Sequence, residues 1–151
     1  MQTDDAASVL AGADFFEICS DDERRLLGFA SERKFYPAGT VIAAGGDVPV
    51  GAHVLISGSL AVEPDAAPAA RRVVTQAGAV VSATALLIGR PSSVTVRALS
   101  GAVTLLVPRH AFLKLLNQSP ELARRATDRT RQELLDFMGA VTPFGKKITK
   151  E

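Results

Sequence analysis

Cysteine, histidine and surplus charge are all scarce in this chain of 151 residues, and each shortage removes a class of protein. The one cysteine, Cys19, has no partner for an internal disulfide, which fits a reducing cytoplasm. It also lacks a paired histidine, and no acid/base pair stands out elsewhere, so neither a thiol nucleophile nor any other catalysis is expected. Two histidines, His53 and His110, are too few for the His and acid ligands that metal-binding jelly rolls gather from neighbouring strands. No metal site or cofactor is expected. A formal net charge of +1 excludes the strong electrostatic footprint of a dedicated nucleic-acid binder. No apolar run is long enough to span a bilayer, because Ser, Thr, Gly or a charge interrupts each one. The opening MQTDDAASVL is acidic and lacks the basic-then-apolar layout of a signal peptide.

What is present reads as one globular domain, with 47% hydrophobic and 22% charged residues. The domain is expected over residues 1–141, with 142–151 as a loose tail lacking apolar periodicity. Up to about Ala30 the chain looks helical. Ser20, followed by acids and by Glu23 three residues on, forms a capping box that starts one helix. Phe15, Phe16 and Ile18 are expected to pack under the next part. From about Arg33 to Pro108, short β segments alternate with glycine turns: Lys34–Tyr36, Val41–Ala43, His53–Ser57, Ser59–Glu63, Arg71–Gln76, Ser93–Ala98 and Val103–Val107. Gly58 reads as a tight hairpin between its two flanking strands. This spacing predicts a mainly β fold of the jelly-roll kind, with flanking helices. EPDAAPAARR reads as a hairpin tip, with Arg71 and Arg72 solvated at its end. Helix returns with RHAFLKLLNQ, and Ser119-Pro120-Glu121 starts a last one over about 120–141.

Two segments carry a resemblance. AGTVIAAGGDVPVGAHVLISGSLAV, from Ala38 to Val62, and GAVVSATALLIGRPSSVTVRA, from Gly78 to Ala98, resemble the two signature stretches of the cyclic nucleotide-binding domain family. The order of elements is also that of the catabolite activator protein and of protein kinase A regulatory subunits. The similarity covers roughly Leu10 to Met138. It implies a β-roll (a double-stranded β-helix of the jelly-roll kind) with N-terminal helices, a short internal cassette helix and a long C-terminal helix. It also implies a cytoplasmic regulatory domain in signalling, with a cyclic nucleotide or another small anion as ligand.

The resemblance places the phosphate-binding cassette at Val81, Ser82, Ala83, Thr84 and Ala85, with Ser92, Ser93 and Thr95 following. There the family has a Phe-Gly pair where Val81-Ser82 stand. It has a ribose-binding Glu at Ala83 and a phosphate-binding Arg at Ser92. A hydrogen bond to a charged group contributes roughly 1.5–3 kcal/mol, so losing both forfeits about 3–6 kcal/mol. That is on the order of 10²–10⁴ in affinity. Tight binding of cyclic AMP or cyclic GMP in the family's usual way is therefore not expected. Arg90, two positions before Ser92, is a candidate substitute, although Pro91 fixes the backbone between them. Arg97 reads as a solvated outer-face residue. The cassette is also more apolar than the family's pattern, so an apolar side chain is expected to fill the nucleotide's space.

The last helix carries Leu122, Ala126, Thr130, Leu134, Phe137 and Val141 in a narrow apolar stripe. The stripe either packs on its own β core or pairs, through Ala126, Thr130, Leu134, Phe137 and Val141, with a second subunit. The chain ends soon after Met138, so a following helix-turn-helix, and with it direct DNA binding, is not expected. Two functions stay open: a small-molecule sensor with an altered or weakly held ligand, and a ligand-independent dimerising or adaptor module that works through a protein partner.

Overall fold

The computed structural model describes residues 2–140, with side chains described for residues 6–129, 131 and 132. Two helices come first, α1 (Gln2–Ala11) and α2 (Asp21–Ala30), with a 3-10 turn at Asp14–Ile18 between them. The capping box forms as expected: Ser20 N–H donates to Glu23 Oε1 (2.8 Å), and Glu23 N–H donates to Ser20 Oγ (3.1 Å). Eight strands follow: β1 (Glu32–Tyr36), β2 (Val41–Ala43), β3 (Gly51–Ser57), β4 (Leu60–Pro64), β5 (Arg72–Val74), β6 (Val80–Val81), β7 (Val94–Ala98) and β8 (Ala102–Pro108). Helices α3 (Arg109–Gln118) and α4 (Pro120–Ala140) close the described chain. Ser119 Oγ accepts from Leu122 N–H (3.2 Å), which caps α4 ahead of its first-turn proline. No helix among the described residues is long and apolar enough to cross a membrane.

All pairings are antiparallel, in two four-stranded sheets ordered β1-β8-β3-β6 and β2-β7-β4-β5. This is the expected roll, with two differences. β6 is an added strand, pairing Val81 with His53 and Val80 with Val54. Two residues are too few to show a period of two, so the sequence pattern hides it. Gly58 does not close a hairpin, because β3 and β4 belong to different sheets. It turns the chain from one sheet to the other, at φ 90°, with Gly101 O and Ala102 Cα where a Cβ would stand.

Two cores result. Strand β3 is buried on both faces, so its residues alternate between them. Val54, with Ala52, Leu105 and Val107, faces the helices and meets Leu10, Phe15, Phe16, Leu27, Phe112 and Leu122. Leu55 faces the roll interior with Leu60, Val62, Val74, Val81, Val96 and Ala98. Phe15, Phe16 and Phe112 pack as tilted and edge-on rings 5.2–6.3 Å apart.

The apolar stripe of α4 begins in the chain's own core: Leu122 and Ala126 are buried there. Ala126, expected on a seam between subunits, is consumed instead by the helical core, because α4 packs against the Asp14–Ile18 turn. Arg125 Nε donates to Ile18 O (2.9 Å), and Arg129 reaches Asp14 and Glu17. The side chains of Thr130, Leu134 and Phe137, and all of Val141, lie outside the described residues.

Candidate functional site

The cassette is a bent segment between β6 and β7. Ser82 ends β6 in the left-handed region (φ 65°, ψ 40°), and among the described residues it is the only non-glycine there. A 3-10 turn then runs over Ala83–Leu86. Three residues per turn bring positions i and i+3 onto one face. Ala83 and Leu86 therefore point together into the helical core, while Thr84 and Ala85 face the other way.

On that other side lies a cavity of about 450 Å³. It is lined by Val81, Ser82, Thr84 and Ala85 of the cassette, by Arg90, Pro91, Ser92, Ser93 and Val94 before and at the start of β7, and by Val62 and Arg72 of β4 and β5. Thr84, Arg72, Arg90 and Ser93 are exposed at its mouth, and no described side chain fills it. The apolar side chain expected to fill this space is not among the described ones; the later side chains of α4 lie outside the described residues. The small residues of the cassette (Ser82, Thr84 and Ala85) leave space rather than occupy it.

Of the candidate site residues, Val81, Ser82, Thr84, Ala85, Arg90, Ser92 and Ser93 come together around this cavity. Two do not. Ala83 lines a second cavity, of about 360 Å³, with Asp14, Phe15, Gln76 and Arg129. Thr95 faces the outer side of β7, where its Oγ1 accepts from Gly45 N–H (2.9 Å). Strand parity explains this: Val94 and Val96 point inward, so Thr95 and Arg97 point outward. Arg97 is not merely solvated there, since it pairs with Glu63 at 3.4 Å. Ser92 lines the cavity, but its hydroxyl is engaged locally. It donates to Val94 O (2.9 Å) and accepts from Val94 N–H (3.1 Å).

Two residues were not foreseen at this site. Arg72, expected in solvent at a hairpin end, is exposed as expected and also lines the cavity. It pairs in register with Val62, and it is two residues from inward-facing Val74, so it shares the roll's inner face. Its parity with Val74 was the signal available in the sequence. The other is Arg109, at the start of α3. Its Nη1 donates to Pro49 O (2.8 Å) and Ala85 O (3.3 Å), and its guanidinium packs over Gly89. It ties the cassette to the loop before β3. Nothing in the sequence pattern marks it, because its partners are backbone carbonyls distant in sequence.

Electrostatically the cavity is one-sided. Among the described residues that line it, Arg72 and Arg90 are the charged ones, and none is a carboxylate. Beneath the cassette, His53 lies in the roll interior under Val81, with Nδ1 3.1 Å from Thr104 Oγ1. Burial, aided by Lys34, pushes its pKa down to about 4, so the ring is neutral at physiological pH. Cys19 lies in the helical core and does not line the cavity, and burial pushes its thiol up to about 12. A protonated, buried thiol is a poor nucleophile. Among the described residues, no cluster of His, Cys, Asp and Glu is placed to hold a metal.

Residues 33–119 match the family model described as the cyclic nucleotide-binding domain. No curated protein matches the chain in sequence. Among solved structures, the sensor domain of the transcriptional regulator DNR from Pseudomonas aeruginosa is similar at TM-score 0.74 and 16% identity, covering 91% of this chain and 93% of that one. The catabolite activator protein of Thermus thermophilus is similar at TM-score 0.69 and 18% identity, covering 87% of this chain. A candidate cyclic nucleotide-binding protein from Ruegeria pomeroyi gives TM-score 0.73 and 16% identity over 93% of this chain. The chain spans 62% and 63% of the length of the Thermus and Ruegeria proteins, respectively. The family model covers most of the roll and all of the cassette, and the two antiparallel sheets have the fold of these structures; the chain belongs to the cyclic nucleotide-binding domain family.

Proposed function

We propose that this chain is a regulatory domain that senses a small anionic molecule in the cavity beside its cassette, and that it holds cyclic mononucleotides more weakly than the family's usual mode would. The observation that carries this reading is the cavity itself: about 450 Å³, with two arginines and no carboxylate among the described residues that line it. Its size suits a small ligand. The weakening follows from Ala83 and Ser92. Ala83 faces the helical core, and the Ser92 hydroxyl is spent on Val94, so neither replaces a charged contact. Calorimetric titration with cyclic AMP, cyclic GMP and a cyclic dinucleotide tests the proposal. The expected result is binding of at least one anion, with both mononucleotides weaker than about 1 μM. Submicromolar binding of either mononucleotide would refute the weakening.

A ligand-independent adaptor is the second reading, favoured by the local engagement of Ser92. Absence of binding for every anion tried would select it. Either reading admits a homodimer through the later turns of α4, beyond Ala126. Light scattering tests that, with a dimer expected for the wild type and a monomer for Leu134→Ala with Phe137→Ala.

A further inference from the structure

We propose that the cavity selects a dianionic phosphomonoester over a monoanionic cyclic phosphodiester, and that Arg72 and Arg90 together make the selection. This rests on the ligand-sensing reading above. Arg72 reaches the cavity from β5, where its pairing with Val62 places it on the roll's inner face. Arg90 lines it from the segment before β7, just ahead of Pro91. Neither guanidinium makes an ion pair or a hydrogen bond among the described residues. Two carboxylates on β4 and just after it are engaged on the outer face. Glu63 pairs with Arg97 on the outer face, and Asp65 lies 3.5 Å from Thr95 Oγ1 on that same side. Among the described residues, the cavity lining thus carries two positive charges and no carboxylate.

Charge balance decides which ligand suits such a wall. A cyclic phosphodiester brings one negative charge, which offsets one guanidinium and leaves the other to water. A phosphomonoester carries close to two charges at neutral pH and three terminal oxygens. Each planar guanidinium can present two N–H groups to a pair of those oxygens, a geometry that matches phosphate. Ser93 adds a hydroxyl on the cavity wall that makes no bond among the described residues.

The experiment compares adenosine 5′-monophosphate with cyclic AMP, which share base and ribose, by calorimetry on the full chain at low salt and neutral pH. The monophosphate is expected to bind roughly tenfold or more tightly than cyclic AMP. Its advantage is expected to shrink as pH falls through about 6, where the monoester takes up its second proton, while cyclic AMP binding stays level. Arg72→Gln and Arg90→Gln are each expected to cut the preference several-fold. Both side chains are exposed, so thermal unfolding should hold steady in each variant. Inorganic phosphate forms a third arm. If it binds as well as the monophosphate, the two-arginine dianion site stands and the nucleoside makes no contribution. Cyclic AMP binding as tightly as the monophosphate, or a preference that survives both substitutions, would overturn the proposal and leave ligand sensing intact. No binding of any of the three overturns the proposal; ligand sensing itself falls only if the cyclic GMP and cyclic dinucleotide arms are also blank.

Discussion

Ser82 holds φ 65° where a side chain crowds the following carbonyl. A non-glycine residue in that region costs roughly 1–2 kcal/mol. The roll tolerates this because β6 and the 3-10 turn hold Ser82 from both sides. Ser82→Gly should relieve the strain and stabilise the fold by about 1 kcal/mol, read as a raised urea midpoint with an unchanged slope. A lowered midpoint would mean that the Ser82 side chain makes a compensating contact. His53 gives a second prediction at this scale. Its folded pKa, about 4, lies below the ordinary 6.5, so the unfolded chain takes up a proton before the folded one does. Its contribution is therefore fully present above pH 6.5 and is lost as pH falls toward 4, amounting to on the order of 3 kcal/mol. Urea midpoints measured across this window should fall with pH in the wild type and fall much less in His53→Gln.

At the scale of elements, the cassette works as a short turn with two faces. Ala83 and Leu86 anchor it to the helical core, and Thr84 and Ala85 border the cavity. Arg109 fastens the same turn from α3, through Ala85 O and Pro49 O. Two hydrogen bonds from a charged donor are each worth roughly 1.5–3 kcal/mol. Part of that is recovered by water once the side chain is gone. Arg109→Ala should therefore destabilise the domain by about 2 kcal/mol in chemical denaturation. Amide exchange should rise over Ala85–Gly89 more than elsewhere, whereas protection unchanged in that segment would show that Leu86 alone holds it. Gly58 acts at this scale too, as the corner between sheets. Gly58→Ala places a Cβ against Gly101 O at positive φ, and should cost at least 1–3 kcal/mol in the same assay.

Across the whole molecule, the two cores divide the labour. The roll interior shapes the cavity, and the helical core couples the N-terminal turn, α3 and α4 to the other face of β3. Leu122 is the first large α4 side chain in that helical core, fully buried among its apolar residues. Leu122→Ala should cost about 2–5 kcal/mol, since deletion leaves a cavity that the aromatic rings fill only partly. A cost under about 1 kcal/mol would show α4 to be loosely docked. Because α4 and the cassette both pack on this helical core, through Leu122 and Leu86, they share a contiguous apolar body. On the proposed sensing role, that arrangement would connect a ligand at the cassette to α4.

Much of the architecture was legible from local patterns. Ser20 with Glu23, and Ser119 with Pro120, specify two helix starts through contacts within four residues, which any chain with those residues can make. The glycine turns and alternating strands announce a roll because strand periodicity is a local property. The cassette's location followed from its register with the family pattern. What the sequence could not determine lies in long-range geometry. A two-residue strand has no period, so β6 emerged only on pairing with His53 and Val54. Whether Gly58 closes a hairpin or turns a corner depends on which sheet each neighbour joins. The side of the turn that Ala83 faces depends on a 3-10 pitch set by Leu86 entering the helical core. Arg72 reads as a loop charge until pairing with Val62 places it at the cavity. Local sequence determined the elements because their hydrogen bonds and caps are short-range. The cavity, its two arginines and the fate of the Ser92 hydroxyl were decided by tertiary structure, because each depends on residues that only the closed roll brings together.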